Sequence, residues 1–343
     1  MNVWLIDEGT PGHTVQTAGL GEILRSQADA QLEWLSCRLR LRGWMRPLAR
    51  WITGRAKSGK ALDIARAMYP GLKLPENRQV DLIVSSCGKS AYLNRLLCSE
   101  FGAHGIFIGE IKPFPAWWFD LIVTPVKSGA GRELLVPIIE AGRTPESGAK
   151  AAADRWGGNP PTACWTLLIG GNSRTHPFDE KDWLALAEGM TALAQRHGIR
   201  WLVSTSRRTG PEAERLLQDN IPSAILAEAV WYGSKPEKVV GAYLAVGERL
   251  FVTQDSLTMM SEGLAMGKRV ELLRPRQWDM PAESFNGRYV ARLSEDGLIG
   301  ATDLADFPGF IPAGDGRVSI EHLRAAFAER LLAWVKENQE EKP

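Results

Sequence analysis

Four short loops hold most of the residues whose chemistry could be put to use. The first is Asp7-Glu8-Gly9-Thr10-Pro11-Gly12-His13. An imidazole titrates near neutrality, so His13 is the candidate general base, with Gly9, Pro11 and Gly12 shaping the acceptor loop around it. The second runs from Gly170 through Gly171, Asn172 and Ser173. Paired glycines let the backbone approach a ligand, and consecutive amides there can cradle phosphate oxygens. The third, Ser204-Thr205-Ser206-Arg207-Arg208-Thr209, sets hydroxyls beside two guanidiniums, groups that pair with phosphate in a bidentate way. In the fourth, Asp255 or Ser256 caps a helix whose first amides, at Leu257, Thr258 and Met259, face a ligand, and Glu262 can accept from a ribose diol. Each loop has a plainer reading as well: a structural histidine, glycines that only turn the chain, a solvated basic loop, a simple helix cap.

The elements that must carry these loops follow from the apolar pattern. Short unbroken apolar runs at residues 3–6, 81–85, 105–108 and 120–123 read as strands, with helices expected over 14–26 and 91–100. Runs of this kind suit parallel sheets buried on both faces. After residue 163 the alternation restarts. Strands are expected at 165–169, 201–203, 224–227, 250–252 and 270–272, and helices over 180–196, 211–218, 236–246 and 256–266. The fold class is therefore α/β, two Rossmann-like doubly wound domains facing a cleft. The expected boundaries are 1–145 for an acceptor- or membrane-facing domain, 146–162 for a Pro/Gly-rich linker, and 163–318 for a nucleotide-sugar domain. A last helix falls within 319–343. In such sheets ligands gather past the carboxyl ends of the strands, where all four loops lie.

A length of 343 residues suits two such domains. With 41 basic against 40 acidic residues, the chain is not a dedicated nucleic-acid binder. Its four cysteines, Cys37, Cys87, Cys98 and Cys164, have no paired spacing and read as reduced structural thiols. No His/Cys grouping has metal-site spacing, so no metal and no cofactor are expected. There is no secretory signal and no long apolar span, which points to a cytoplasmic protein. Two phosphate-loop look-alikes fail. Residues 54–61 end in Ala61, lacking the hydroxyl a magnesium site needs, and Cys87-Gly88-Lys89-Ser90 lacks the leading glycine.

The balanced total hides a cluster. Residues 34–62 hold eight Arg or Lys and no acid. Arg38, Arg40, Arg42, Arg46 and Arg50 alternate there with Trp44, Trp51 and several leucines, as in a segment lying on anionic lipid.

Pro11-Gly12-His13 with Gln16, the 170–173 and 204–209 loops, and the run from Val252 to Glu262 together resemble the plant mitochondrial-fission factor family and its bacterial relatives. The likeness spans almost the whole chain and implies a GT-B-like fold. More distantly, the His13 loop and Ser261-Glu262 are similar to the membrane-associated transferase that adds N-acetylglucosamine to lipid-linked peptidoglycan precursor. That likeness implies a nucleotide-sugar donor as substrate, its diphosphate near Gly171, Asn172, Ser173, Ser256, Leu257 and Thr258, its ribose on Glu262, and His13 beside the acceptor hydroxyl. The implied activity is metal-independent glycosyl transfer to a lipid-linked or envelope glycan, peripheral on the inner membrane. A non-catalytic membrane adaptor and a sugar-nucleotide epimerase are the alternatives.

Overall fold

In the computed structural model, which describes residues 1–139 and 143–340, the chain forms two units. The first comprises residues 1–142 and 321–343, the second residues 143–320.

Unit 1 holds β1 (Asn2–Asp7), α1 (Pro11–Ala28), β2 (Gln31–Ser36), α2 (Arg46–Arg55), α3 (Ala61–Met68), β3 (Leu82–Ser86), α4 (Ala91–Phe101), β4 (His104–Ile108), β5 (Leu121–Thr124) and β6 (Glu133–Leu135). Its strands make one parallel sheet in the order β2-β1-β3-β4-β5-β6. The expected runs form the middle of this sheet: Val3–Ile6 and every residue of β3 are buried. One face packs Trp4, Ile83 and Phe107 against α3 and α4, and the other packs Leu5, Val84 and Ile106 against α1.

Unit 2 repeats the plan. Along the chain come α5 (Pro145–Trp156), β7 (Cys164–Leu168), α6 (Glu180–His197), β8 (Arg200–Ser204), α7 (Pro211–Asn220), β9 (Leu226–Val230), α8 (Val240–Val246), β10 (Leu250–Thr253), α9 (Leu257–Ala265), β11 (Val270–Arg274), α10 (Phe285–Glu295) and β12 (Ile299–Asp303). The parallel sheet runs β12-β11-β10-β7-β8-β9. Its core stacks Trp165, Trp201, Phe251 and Phe307.

Three expectations about organisation need correction. The 146–162 stretch is not a linker. Thr144 and Ser147 form a reciprocal cap around Pro145, and the Ala-rich sequence after it makes α5, which buries Gly148 and Ala152 and packs on α8 in unit 2. The C-terminal helix α11 (Glu321–Glu340) is not a separate segment. It returns to unit 1, where Phe327, Leu331 and Val335 join the β-sheet core beside Leu20 and Leu24 of α1. Helix α8 begins at Val240, not 236, because the chain turns at 232–234 and is irregular over 235–239.

Both sheets reverse their winding once. In unit 1, β2 lies on one side of β1 and β3 on the other; in unit 2, β8 lies on one side of β7 and β10 on the other. The crevices between β1 and β3 and between β7 and β10 are thus the topological switch points where α/β sheets take ligands. All four candidate loops start at the carboxyl ends of β1, β7, β8 and β10.

Candidate functional site

At the unit 2 switch point the glycine loop is spoken for. The Gly170 amide donates to Thr253 Oγ1 at 2.7 Å, and Gly171's is directed at the Asp255 carboxylate. Asn172 donates to the Arg208 carbonyl at 3.2 Å and Ser173 to the His176 carbonyl at 3.0 Å. The Gly170, Asn172 and Ser173 amides are therefore bonded within the protein and Gly171's faces a buried carboxylate, so the phosphate cradle expected from Gly170–Ser173 is not formed. The glycines serve packing instead. Gly171 has φ +119°, and a Cβ there would sit 2.4 Å from the Arg208 carbonyl oxygen. The neighbouring loop is locked onto this one: the Ser206 hydroxyl donates to the Gly170 carbonyl, and Thr209 Oγ1 does so at 3.0 Å. Ser204 closes β8 and is buried.

What stays available at this end of the sheet is positive charge. Arg207 and Arg208 are exposed. Helix α9 starts at Leu257, and Ser256 in the cap position makes no side-chain bond to it. The first-turn amides at Leu257, Thr258 and Met259 have no acceptor within the helix and add their dipole to the site. Asp255 is not the cap. Its side chain is fully buried against Gly170, with Oδ2 2.6 Å from Arg208 Nη1 and no in-line donor to either oxygen. Burial pushes its carboxyl above the usual range, and Thr253 and Arg208 oppose that only in part. Asp255 thus holds Arg208 in place and is not itself exposed to a ligand. Glu262, expected on a ribose, is also mostly buried and lies 2.9 Å from Arg143 Nε; burial raises its pKa as well.

Beside these loops lies a cavity of about 690 Å³ that the sequence did not point to. Asn172, Arg208, Gly210 and the first turn of α7 line one part of it, and Phe178, Trp183 and Asp179 another. Phe178 and Trp183 stack at 4.7 Å, and the Phe178 amide is held by Asn172 Oδ1 at 2.6 Å. Among the described residues no group of His, Cys, Asp and Glu is arranged to hold a metal ion.

In unit 1, His13 lies in the first turn of α1 and donates from Nδ1 to Glu8 Oε1 at 2.7 Å. The loop is tied down by Asp7, which accepts from the Gly9 amide at 2.9 Å and from Thr14 Oγ1 at 2.6 Å. The side chain of Gln16 reaches Ser86 Oγ at 2.8 Å. Hydrogen bonding to Cys87, then to Glu8, raises His13 to about 9. The ring is therefore an imidazolium at neutral pH, and the expected neutral base is a minor form there. Glu8 is opposed by its own burial, yet its bonds from His13 and Thr10 keep it below the usual carboxylate range.

The basic segment is only partly helical. Trp34 ends up in β2, residues 38–42 are irregular, and a 3-10 turn at Gly43–Met45 leads into α2. Its outward character is clear nonetheless. Trp44 is 76% exposed, Leu48 and Trp51 57% each, and α2 buries only Ala49 and Thr53. Arg38, Arg40, Arg42 and Arg46 are exposed, and Arg55 stacks over Trp51 at 4.6 Å. The loop before β5 extends this face. Trp117, 54% exposed, shares with Arg50, Trp51 and Arg55 a groove of about 450 Å³. No helix among the described residues is long and apolar enough to cross a membrane.

These features can be set beside known proteins. A family model described as Mitochondrial fission ELM1 matches residues 11–326. No curated protein matches the sequence. Among solved structures, one assigned as a UDP-N-acetylglucosamine 2-epimerase from Listeria monocytogenes aligns with a TM-score of 0.57 at 12% identity, covering 100% of this chain and 97% of that one. The UDP-GlcNAc 2-epimerase from Methanocaldococcus jannaschii aligns at 0.55 and 10% identity, covering 97% and 100%. The ADP-heptose lipopolysaccharide heptosyltransferase II of E. coli aligns at 0.49 and 12% identity, covering 99% and 100%. At such identities the two alignments above 0.5 speak to fold alone: two Rossmann-like domains of the GT-B kind.

Proposed function

This chain belongs to the mitochondrial fission ELM1 family, and on that premise we propose that it is a metal-independent glycosyltransferase that takes its sugar from a nucleoside diphosphate donor. One observation carries the reading. Exposed Arg207, Arg208 held outward by Asp255, and the uncapped start of α9 gather positive charge at the switch-point end of the unit 2 sheet. Preorganised charge of this kind stabilises a departing diphosphate, the role a divalent cation fills in other transferases. The adjoining 690 Å³ cavity, floored by Phe178 and Trp183, has room for the base. Glu262 is the ribose acceptor once Arg143 yields it.

His13 acts on the acceptor. With a pKa of about 9, its basic form is a small fraction at pH 7, so turnover grows about tenfold per pH unit until the ring deprotonates. The acceptor is a lipid-linked or envelope glycan, and the exposed Arg/Trp face of unit 1 rests on the anionic leaflet of the inner membrane. Each basic residue near such a surface contributes roughly 1 kcal/mol.

A panel of nucleotide sugars, incubated with lipid-linked acceptors in EDTA, tests this by following release of nucleoside diphosphate. Acceptor-dependent release supports transfer. Isomerisation of the donor without acceptor would make the protein an epimerase. Vesicle binding with no nucleotide recognition would make it an adaptor.

A further inference from the structure

Helix α2 carries an apolar stripe on its outer side. Trp44, in the turn leading into the helix, is followed by Leu48 and Trp51 at helical spacing, and all three are exposed. An amphipathic helix normally turns such a stripe toward the core. Here the residues α2 buries are Ala49 and Thr53 instead. The stripe ends at the groove of about 450 Å³ between α2 and the 113–118 loop. Arg50, Trp51 and Arg55 line it from the helix, Pro115 and Trp117 from the loop, and Trp118, 2% exposed, completes the lining.

The groove is built rather than incidental. Gly54 lets the end of α2 lie directly on the loop, since a Cβ there would stand 3.3 Å from Trp118 Nε1 and 3.4 Å from the Trp117 ring. Both exposed rings are held by cations: Arg55 stacks over Trp51 at 4.6 Å and Arg95 over Trp117 at 5.2 Å. Charge here has one sign. Arg50 and Arg55 belong to the 34–62 stretch, which has no acid. Asp63, the first acid after it, faces Arg66 at 3.9 Å, and neither Arg50 nor Arg55 makes an ion pair among the described residues. Guanidiniums free of carboxylates beside uncovered indoles suit a ligand anionic at one end and apolar at the other. A nucleic acid would meet the charge and stack on the rings but leave Leu48 uncovered, so a lipid fits the stripe better. At roughly 30 Å³ per small group, as for water in the liquid, the groove holds about fifteen non-hydrogen atoms, a phosphate with about ten chain carbons.

We propose that this groove binds the head of one single-chain lipid phosphate. The phosphate sits on Arg50 and Arg55, the first chain carbons lie between Trp51 and Trp117, and the rest of the chain runs out past Leu48 and Trp44 into the bilayer. A guanidinium pairs with phosphate oxygens through two parallel N–H bonds, and indole faces bury the methylenes next to the ester. A whole face resting on a leaflet needs only charge and exposed apolar area; a groove of this size selects one molecule from it. The site deepens the acceptor side of the proposed function, and its role in turnover rests on that reading. Binding itself needs neither donor nor membrane.

Octyl phosphate, kept below the concentration at which it forms micelles, tests the site by calorimetric titration into the full chain without membrane or nucleotide. One molecule should bind per chain, at least about tenfold tighter than inorganic phosphate or octanol. Arg50→Gln with Arg55→Gln, and separately Trp117→Ala, should each weaken binding about tenfold with Tm nearly unchanged, because these side chains are not buried. Trp44→Ser, outside the groove, should leave the affinity for this short chain as it is. Equal affinity for inorganic phosphate, or a loss in Trp44→Ser as large as in Trp117→Ala, would overturn the site. So would tighter binding of a single-stranded oligonucleotide to the same residues. With no donor present, this titration can succeed while glycosyl transfer fails. A failed titration alongside transfer to a lipid-free acceptor would overturn the groove alone.

Discussion

Replacing Arg208 with alanine strands the buried Asp255 carboxylate. The two groups approach to 2.6 Å, Asp255 is fully buried and Arg208 is 38% exposed. At an effective dielectric constant of about 20, charges about 4 Å apart attract by about 4 kcal/mol. Solvent at the exposed guanidinium screens roughly half of that, leaving a loss of about 2 kcal/mol at neutral pH. For a unit of this size that corresponds to a fall in Tm of about 4–8 °C. The sign with pH follows from the carboxyl. Its folded-state pKa is raised by burial, so its charge opposes folding above that pKa. Losing Arg208 raises it further. The deficit should therefore be largest near pH 7 and shrink as the pH falls and the carboxyl takes up its proton. Asp255→Asn removes the charge and should restore most of the stability in the double variant. Urea unfolding of the four proteins at pH 7 and pH 4.5 measures this as a double-mutant cycle. A coupling below about 0.5 kcal/mol, or the same deficit at both pH values, would refute the buried-pair reasoning.

Four further outcomes are expected. In an NMR titration His13 should change charge near pH 9, and Cys87→Ala, which removes the largest cause, should bring it back toward about 6.5. Because that pKa is raised, the stabilisation it brings is whole below about pH 6.5 and is lost as the pH climbs through 9; His13→Ala should flatten this slope. Gly171→Ala forces a Cβ against the Arg208 backbone at positive φ and should destabilise unit 2 by about 2–4 kcal/mol in chemical denaturation. Trp44→Ser with Trp51→Ser and Trp117→Ser should weaken co-sedimentation with anionic vesicles more than tenfold while leaving the melting temperature nearly unchanged, since all three rings are already exposed.

The central strands were legible because parallel strands buried on both faces read as unbroken apolar runs, as in Leu82–Ser86 and Cys164–Leu168. Edge strands lack that signature. β2 buries a single residue, Leu35, and carries Gln31 and Glu33; β12 contains Gly300 and Asp303. Both therefore passed for loops. The Pro, Ser and Gly of α5 looked like a linker although Thr144-Pro145 is a helix start, which the cap geometry makes plain. Loops at strand ends could be picked out as the seat of chemistry, but not the partners their amides and carboxylates would find. Thr253 and Arg208 take the Gly170 and Asn172 amides through contacts distant in sequence. The contact of Gln16 with Ser86 depends on β1 and β3 being sheet neighbours, which no spacing encodes.

Hydrogen–deuterium exchange with and without UDP, in EDTA, is the most direct test of nucleotide recognition in unit 2. Protection is expected at Leu257–Met259 and around Arg207–Arg208, with none added at the Gly170, Asn172 and Ser173 amides, which are already hydrogen-bonded. Binding that Arg207→Ala with Arg208→Ala leaves intact, or no protection at the start of α9 at millimolar UDP, would contradict it.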